Sequence, residues 1–131
     1  MIGVDTNVFV RYLVPGDNSA QHEASRRLIG NCTAASPCFI AAGVLLETFW
    51  VLTRTFGYPI DRVAVSLQRA LHTDGIVFEY GRAATVALSH PRDFADTFIA
   101  AGAMEAGAYP IYTFDRRASR QIEGMERLTH E

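Results

Sequence analysis

The sequence predicts an α/β domain: a central, mostly parallel β-sheet of four to five strands flanked by helices. Two observations predict it. Short apolar runs of strand length alternate with longer segments of helical composition, the order that builds parallel strands joined by helical crossovers. The chain is also apolar enough to cover both faces of such a sheet, since 49% of its 131 residues are hydrophobic and 20% charged, at a formal net charge of −2. That length suits a single domain, taken as residues 1–131.

Each element has a local reason. Met1–Val4 opens as a short strand, broken by Asp5-Thr6-Asn7, three cap-forming residue types, ahead of the apolar set Val8, Phe9, Tyr12 and Leu13. Pro15-Gly16-Asp17-Asn18 is a turn, from which Asn18 or Ser19 caps a helix to about Ile29, closed by Gly30. Pro37–Ile40 is a second strand. Ala41–Phe56 is apolar, too long for a strand and terminated by Gly57 and Pro59, hence a helix. Asp61 caps the next helix, which runs through Val63, Leu67, Ala70 and Leu71 and stops before Asp74-Gly75. Ile76–Tyr80 is a strand, Arg82–Leu88 a helix broken by His90-Pro91, and Phe94–Ala106 a helix ended by Gly107. Pro110 leads into a strand at Ile111–Phe114, a short helix covers Arg116–Ile122, and Met125–Leu128 adds an edge strand.

Composition removes several function classes. All 12 basic residues are arginine, so chemistry that needs a lysine of this chain is excluded: P-loop phosphate binding, Schiff-base catalysis and the phosphoaspartyl folds. The longest apolar run, Cys38 to Leu46, falls far short of the roughly 20 residues that span a bilayer, and no cationic stretch precedes an apolar one near the N-terminus. A cytoplasmic protein without a membrane partner is expected. Cys32 and Cys38 form neither a CxxC nor a metal-ligand pattern and read as structural.

The acids carry the functional signal. From Ala41 to Leu52 the polar residues are Glu47 and Thr48, and from Phe94 to Met104 they are Asp96 and Thr97. Each acid thus sits in a helix that reads as buried, where a carboxylate is costly unless paired or bound to a cation. Asp5 and Asp115 each follow an apolar strand, and in such sheets ligands gather at the strands' carboxyl ends. Like charges about 4 Å apart repel by roughly 4 kcal/mol at an effective dielectric near 20. Four converging acids therefore call for a cation, and oxygen-only ligands suit Mg²⁺ or Mn²⁺ rather than zinc. Arginines near the strand edge, Arg11, Arg92, Arg116 and Arg117, are candidates to hold phosphates. Phe49, Trp50, Phe56 and Tyr58 offer more aromatic surface than one short helix need bury, which predicts a partner surface unless all four are core.

Four segments in order carry a resemblance: Asp5-Thr6-Asn7-Val8-Phe9-Val10-Arg11-Tyr12-Leu13, Leu45-Leu46-Glu47-Thr48-Phe49-Trp50-Val51-Leu52, Asp93-Phe94-Ala95-Asp96-Thr97-Phe98-Ile99-Ala100-Ala101, and Tyr112-Thr113-Phe114-Asp115. With them the chain resembles a PIN-domain ribonuclease, and among those the VapC-type toxins of bacterial toxin–antitoxin pairs. The resemblance implies a single PIN-like domain and a Mg²⁺- or Mn²⁺-dependent endoribonuclease that hydrolyses RNA with metal-activated water. Its acidic quartet maps onto Asp5, Glu47, Asp96 and Asp115, as catalytic residues and metal ligands. Asp93, one helical turn before Asp96, assists the metal or caps the helix. Thr6, Asn7 and Thr113 resemble the polar neighbours of the metal, and suit capping and turn hydrogen bonds equally. The resemblance also implies a homodimer and a cognate VapB-like antitoxin. Two other readings share the acids: a metal-dependent phosphatase or 5′-nuclease acting on another substrate, and a non-catalytic PIN-like binding module. Aspartyl phosphatases carry Asp-x-Asp after the first strand, where this chain has Asn7.

Overall fold

The computed structural model describes residues 1–130. Among them are seven α-helices and five strands, and every strand pair is parallel. The α/β class and the parallel pairing are as expected, but the strands fall into two sheets, β1–β2–β3 and β4–β5, where one was expected. Strands of two or three residues offer few ladder positions, and the ends of β4 are satisfied by the segment around β5: Ile111 N donates to Gly124 O (2.9 Å) and Leu128 N to Thr113 O (2.7 Å). The chain divides into two compact units, Met1–Glu79 and the residues from Tyr80 onward.

In the first unit, β1 (Ile2–Gly3) pairs with β2 (Cys38–Ile40), which pairs with β3 (Ile76–Phe78). Helices α1 (Thr6–Leu13) and α2 (Ser19–Gly30) begin as expected, with Asp5 and Asn18 accepting at 3.0 Å from Val8 N and Gln21 N. Phe9 is fully buried, edge-on to Phe78 at 6.0 Å, a burial worth about 2–3 kcal/mol. Helix α3 (Ala42–Trp50) follows Ala41, which has no side chain to cap with; the carboxylate of Glu79, just past β3, accepts from Ala42 N instead (2.8 Å). The helix expected over Ala41–Phe56 is α-helical only to Trp50 and continues as a π-helical turn, Val51–Thr55. There Thr53 Oγ1 donates to Phe49 O (2.8 Å) and Trp50 O (3.3 Å), and Phe56 N reaches Val51 O at 2.9 Å. Helix α4 (Ile60–Leu71) is capped at Pro59, not at Asp61, which lies one residue inside; the fixed proline φ suits the entry to the first turn.

In the second unit, α5 (Gly81–Leu88) packs on α6 (Phe94–Glu105) through Ala83, Ala84 and Ala87, whose small side chains permit close approach. Tyr80, with φ 54°, precedes α5, and Glu105 supplies the missing cap by accepting from Ala83 N (2.9 Å). Strand β4 (Ile111–Thr113), helix α7 (Arg116–Gln121) and strand β5 (Met125–Arg127) close the unit over Ala100, Ala118 and Ile122.

Candidate active site

Local sequence places both strand-end acids in the same way. Asp5 follows β1 and caps α1; Asp115 follows β4 and caps α7, its Oδ1 accepting from Ala118 N at 3.0 Å. In each case one carboxylate oxygen is spent on the helix and the other is left for a further partner.

Around Asp5, Thr6 Oγ1 donates to Glu47 Oε1 at 2.8 Å, joining the start of α1 to the middle of α3. Asn7 is exposed on α1. In the second unit Thr113 accepts from Asp115 N at 3.1 Å, and Arg117 forks onto Asp93 through Nη1 to Oδ1 (2.8 Å) and Nη2 to Oδ2 (3.2 Å). That hydrogen-bonded fork, then the charge of Asp93, holds the Arg117 pKa above its ordinary value, and the charges of Asp115 and Asp96 add to it. Asp93, Asp96 and Asp115 thus act on one arginine. Asp93 makes no capping hydrogen bond to α6: its two oxygens are taken by Arg117, which corrects the capping alternative.

Burial overturns one premise. Glu47 and Asp96 are exposed, not set into buried helix faces. The inward stripe of the α3 segment is Leu45, Thr48 and Leu52, three and four residues apart, and Glu47 falls outside it; in α6 Phe94, Thr97 and Phe98 turn inward and Asp96 outward. Water solvates these carboxylates, so burial does not itself demand a cation. The polar residues that these two segments bury are Thr48 and Thr97, and Thr48 Oγ1 is fully enclosed without a hydrogen-bond partner among the described residues, as is Arg11 Nε elsewhere in the first unit.

The arginines divide. Arg92, beside Pro91 in a 3-10 turn, and Arg116, in the first turn of α7, are exposed, as is Arg117 beyond its fork. Arg11, with a side chain 14% exposed, is committed elsewhere: Nη1 donates to Pro15 O and Nη2 to Asp17 Oδ1, both at 3.1 Å, and the guanidinium lies over Phe56. It clasps the loop between α1 and α2. The Asp93–Arg117 fork and the Arg11 clasp have no local sequence signal; the first joins residues 24 apart.

Hard oxygen donors are what each unit offers: in the first the Asp5 and Glu47 carboxylates with the Thr6 hydroxyl, and in the second the Asp96 and Asp115 carboxylates. Among the described residues no three Asp, Glu, His or Cys side chains form a ready metal cage. Mg²⁺ does not require one, because it keeps several waters and is held by one or two carboxylates together with substrate phosphates. The donor chemistry fits such an ion. A cavity of about 460 Å³ in the first unit, lined by Val14, Leu52, Tyr58, Arg62 and Arg69 among others, contains none of these acids. No helix among the described residues is long and apolar enough to cross a membrane.

No curated protein matches the chain. The family model that describes the PIN domain matches residues 2–123 and so spans all four acids. PIN domains are generally nucleases, hydrolases of phosphodiester bonds, and typically bind divalent metal ions. With that match over nearly its whole length, the chain belongs to the PIN domain family.

Proposed function

We propose that the protein is a Mg²⁺- or Mn²⁺-dependent endoribonuclease, a single PIN-like domain over residues 1–131 that acts in the cytoplasm as the VapC-type toxin of a toxin–antitoxin pair. The observation that carries this reading is the shared placement of Asp5 and Asp115: each follows a parallel strand, caps the next helix with one oxygen and keeps the second available. Asp5, Glu47, Asp96 and Asp115 would hold the ion. When bound, it supplies Lewis acidity toward water and the scissile phosphate. Thr6 fixes the orientation of Glu47 through its 2.8 Å hydrogen bond, and Thr113 does the same for the turn that presents Asp115. Asp93 anchors Arg117 beside Asp96 and Asp115, so a guanidinium stands ready to bind a phosphate oxygen. Arg92 and Arg116 supply further phosphate contacts, while Asn7 is an exposed polar neighbour on the Asp5 side. At a net charge of −2 the protein lacks the basic surface of a nonspecific binder, which favours a looped or single-stranded RNA target.

The test incubates purified protein with total cellular RNA in Mg²⁺ or in EDTA and maps new 5′ ends. Discrete new ends in Mg²⁺ that vanish in EDTA are expected; intact RNA, or equal cutting in EDTA, overturns the reading. The toxin role further implies a homodimer and a cognate VapB-like antitoxin that places a basic side chain among the carboxylates. A monomer by light scattering with no copurifying small protein argues against that part alone.

A further inference from the structure

We infer that Trp50 and Arg54 form a base-stacking subsite for the single-stranded RNA beside the Glu47 carboxylate. The inference rests on the ribonuclease reading and adds to it where the substrate lies. Trp50 is 57% exposed although the Arg54 guanidinium already covers one face of its ring, 4.4 Å from the centroid. With one face of the ring backed by Arg54, the indole offers a partner an aromatic surface that the core does not use. Its location specifies which partner. Trp50 lies three residues after the exposed Glu47, one helical turn and about 4.5 Å along the same side, so a base on the indole belongs to a nucleotide next to the phosphate that faces Glu47.

The platform is also held in place. The π-helical turn Val51–Thr55 begins at the next residue, and the Thr53 hydroxyl bonds back to Phe49 O and Trp50 O, tying down the backbone that carries the indole. Arg54 forms no ion pair among the described residues, which leaves its N–H fork for a phosphate while its plane stays on the ring. An aromatic face backed by arginine is the combination by which single strands are gripped without sequence readout, because every base has a π-face and every nucleotide a phosphate. A two-fold contact centred on Trp50 would set Glu47 of one copy against Arg54 of the other, so the experiment below also follows the sedimenting mass.

Trp50 is the one tryptophan of the chain, so its fluorescence reports the subsite in the unmodified protein. The experiment titrates wild type with an unlabelled single-stranded oligoadenylate of about ten nucleotides in Ca²⁺ buffer, and in parallel measures anisotropy of the same RNA carrying fluorescein. Saturable quenching of Trp50 that tracks the anisotropy is expected. Trp50→Ala should weaken binding about ten-fold or more, while Trp50→Phe, which keeps an aromatic face, loses far less. RNA that binds by anisotropy without altering Trp50 emission, with Trp50→Ala binding as wild type does, overturns the subsite and leaves the ribonuclease reading standing. Trp50→Ala that shifts the sedimenting mass from dimer to monomer at unchanged RNA affinity overturns it in favour of a contact between copies. RNA that neither binds to nor is cut by wild type removes the ribonuclease reading and the subsite with it.

Discussion

Asp115 holds a helix with one oxygen and, in the proposed chemistry, an ion with the other, and two substitutions separate these tasks. Asp115→Ala deletes the 3.0 Å acceptor of Ala118 N, so α7 loses its cap and stability falls by about 1 kcal/mol. For a chain of this length that is ~4 °C in Tm. Asp115→Asn keeps an acceptor oxygen at the same place and gives up only the attraction of a carboxylate for the helix dipole, roughly 0.3–1 kcal/mol. Stability should therefore rank wild type and Asn close together with Ala lower, whereas RNA cleavage should collapse in both variants, on the order of 100-fold or more. Thermal melts by circular dichroism and a gel assay on one RNA measure the two quantities. An Asn variant as unstable as the Ala variant refutes side-chain capping. An Asn variant that cleaves like wild type refutes a role for the Asp115 charge in the chemistry.

Three further outcomes concern the scaffold. Thr48→Val replaces a fully buried, unpartnered hydroxyl with a methyl group of similar volume and should stabilise the fold by about 1–2 kcal/mol in chemical denaturation; a loss of stability shows that the hydroxyl is satisfied. Gly75→Ala should cost more than the roughly 1–2 kcal/mol of a left-handed alanine, since φ is +87° and the new Cβ meets Cys32 O at 2.5 Å, whereas Gly57→Ala, at φ +73° in open space, should cost only that dihedral penalty; equal losses in paired melts refute the clash. Burial, and then the neighbouring Cys32, pushes the Cys38 thiol up to about 11 from an ordinary 9.0. The folded state thus keeps a proton that the unfolded chain loses first, so this contribution to stability is fully present below about pH 9 and declines as pH rises toward 11. Alkaline melts of wild type against Cys38→Ala should differ in slope over that window, and parallel curves contradict the assignment.

What could be foreseen follows the range of each interaction. Asp5 and Asn18 act on their own helix starts, within a turn of the chain, and the starts of α1 and α2 were legible from them, whereas Gly30, expected to close α2, is its last helical residue and the C-cap falls on Asn31. The order of the four acids was legible too, because each lies beside a strand end or within a long apolar segment. Which side of those segments faces inward was not. In Ala41–Leu52 nearly every residue is apolar, so composition cannot separate the Leu45–Thr48–Leu52 stripe from the face with Glu47 and Trp50, and the exposed acid read as buried. Contacts across 24 or more positions, such as Asp93 with Arg117 and Thr6 with Glu47, depend on how elements pack, and no local pattern announces them.

The borrowed cap of α3 bears on how the chain matures. Helix α2 closes its first turn with its own Asn18, but α3, the helix of Glu47 and Trp50, waits for an oxygen that arrives 37 residues later with Glu79. During synthesis from the N-terminus the Glu47 segment emerges long before that acceptor exists, and closing so long a loop carries an entropic cost that only the pairing of β3 with β2 repays. A truncated product that ends before Glu79 holds Glu47 on a helix with an open end. The helix that carries Glu47 thus gains its cap late, by the same event that finishes the three-stranded sheet.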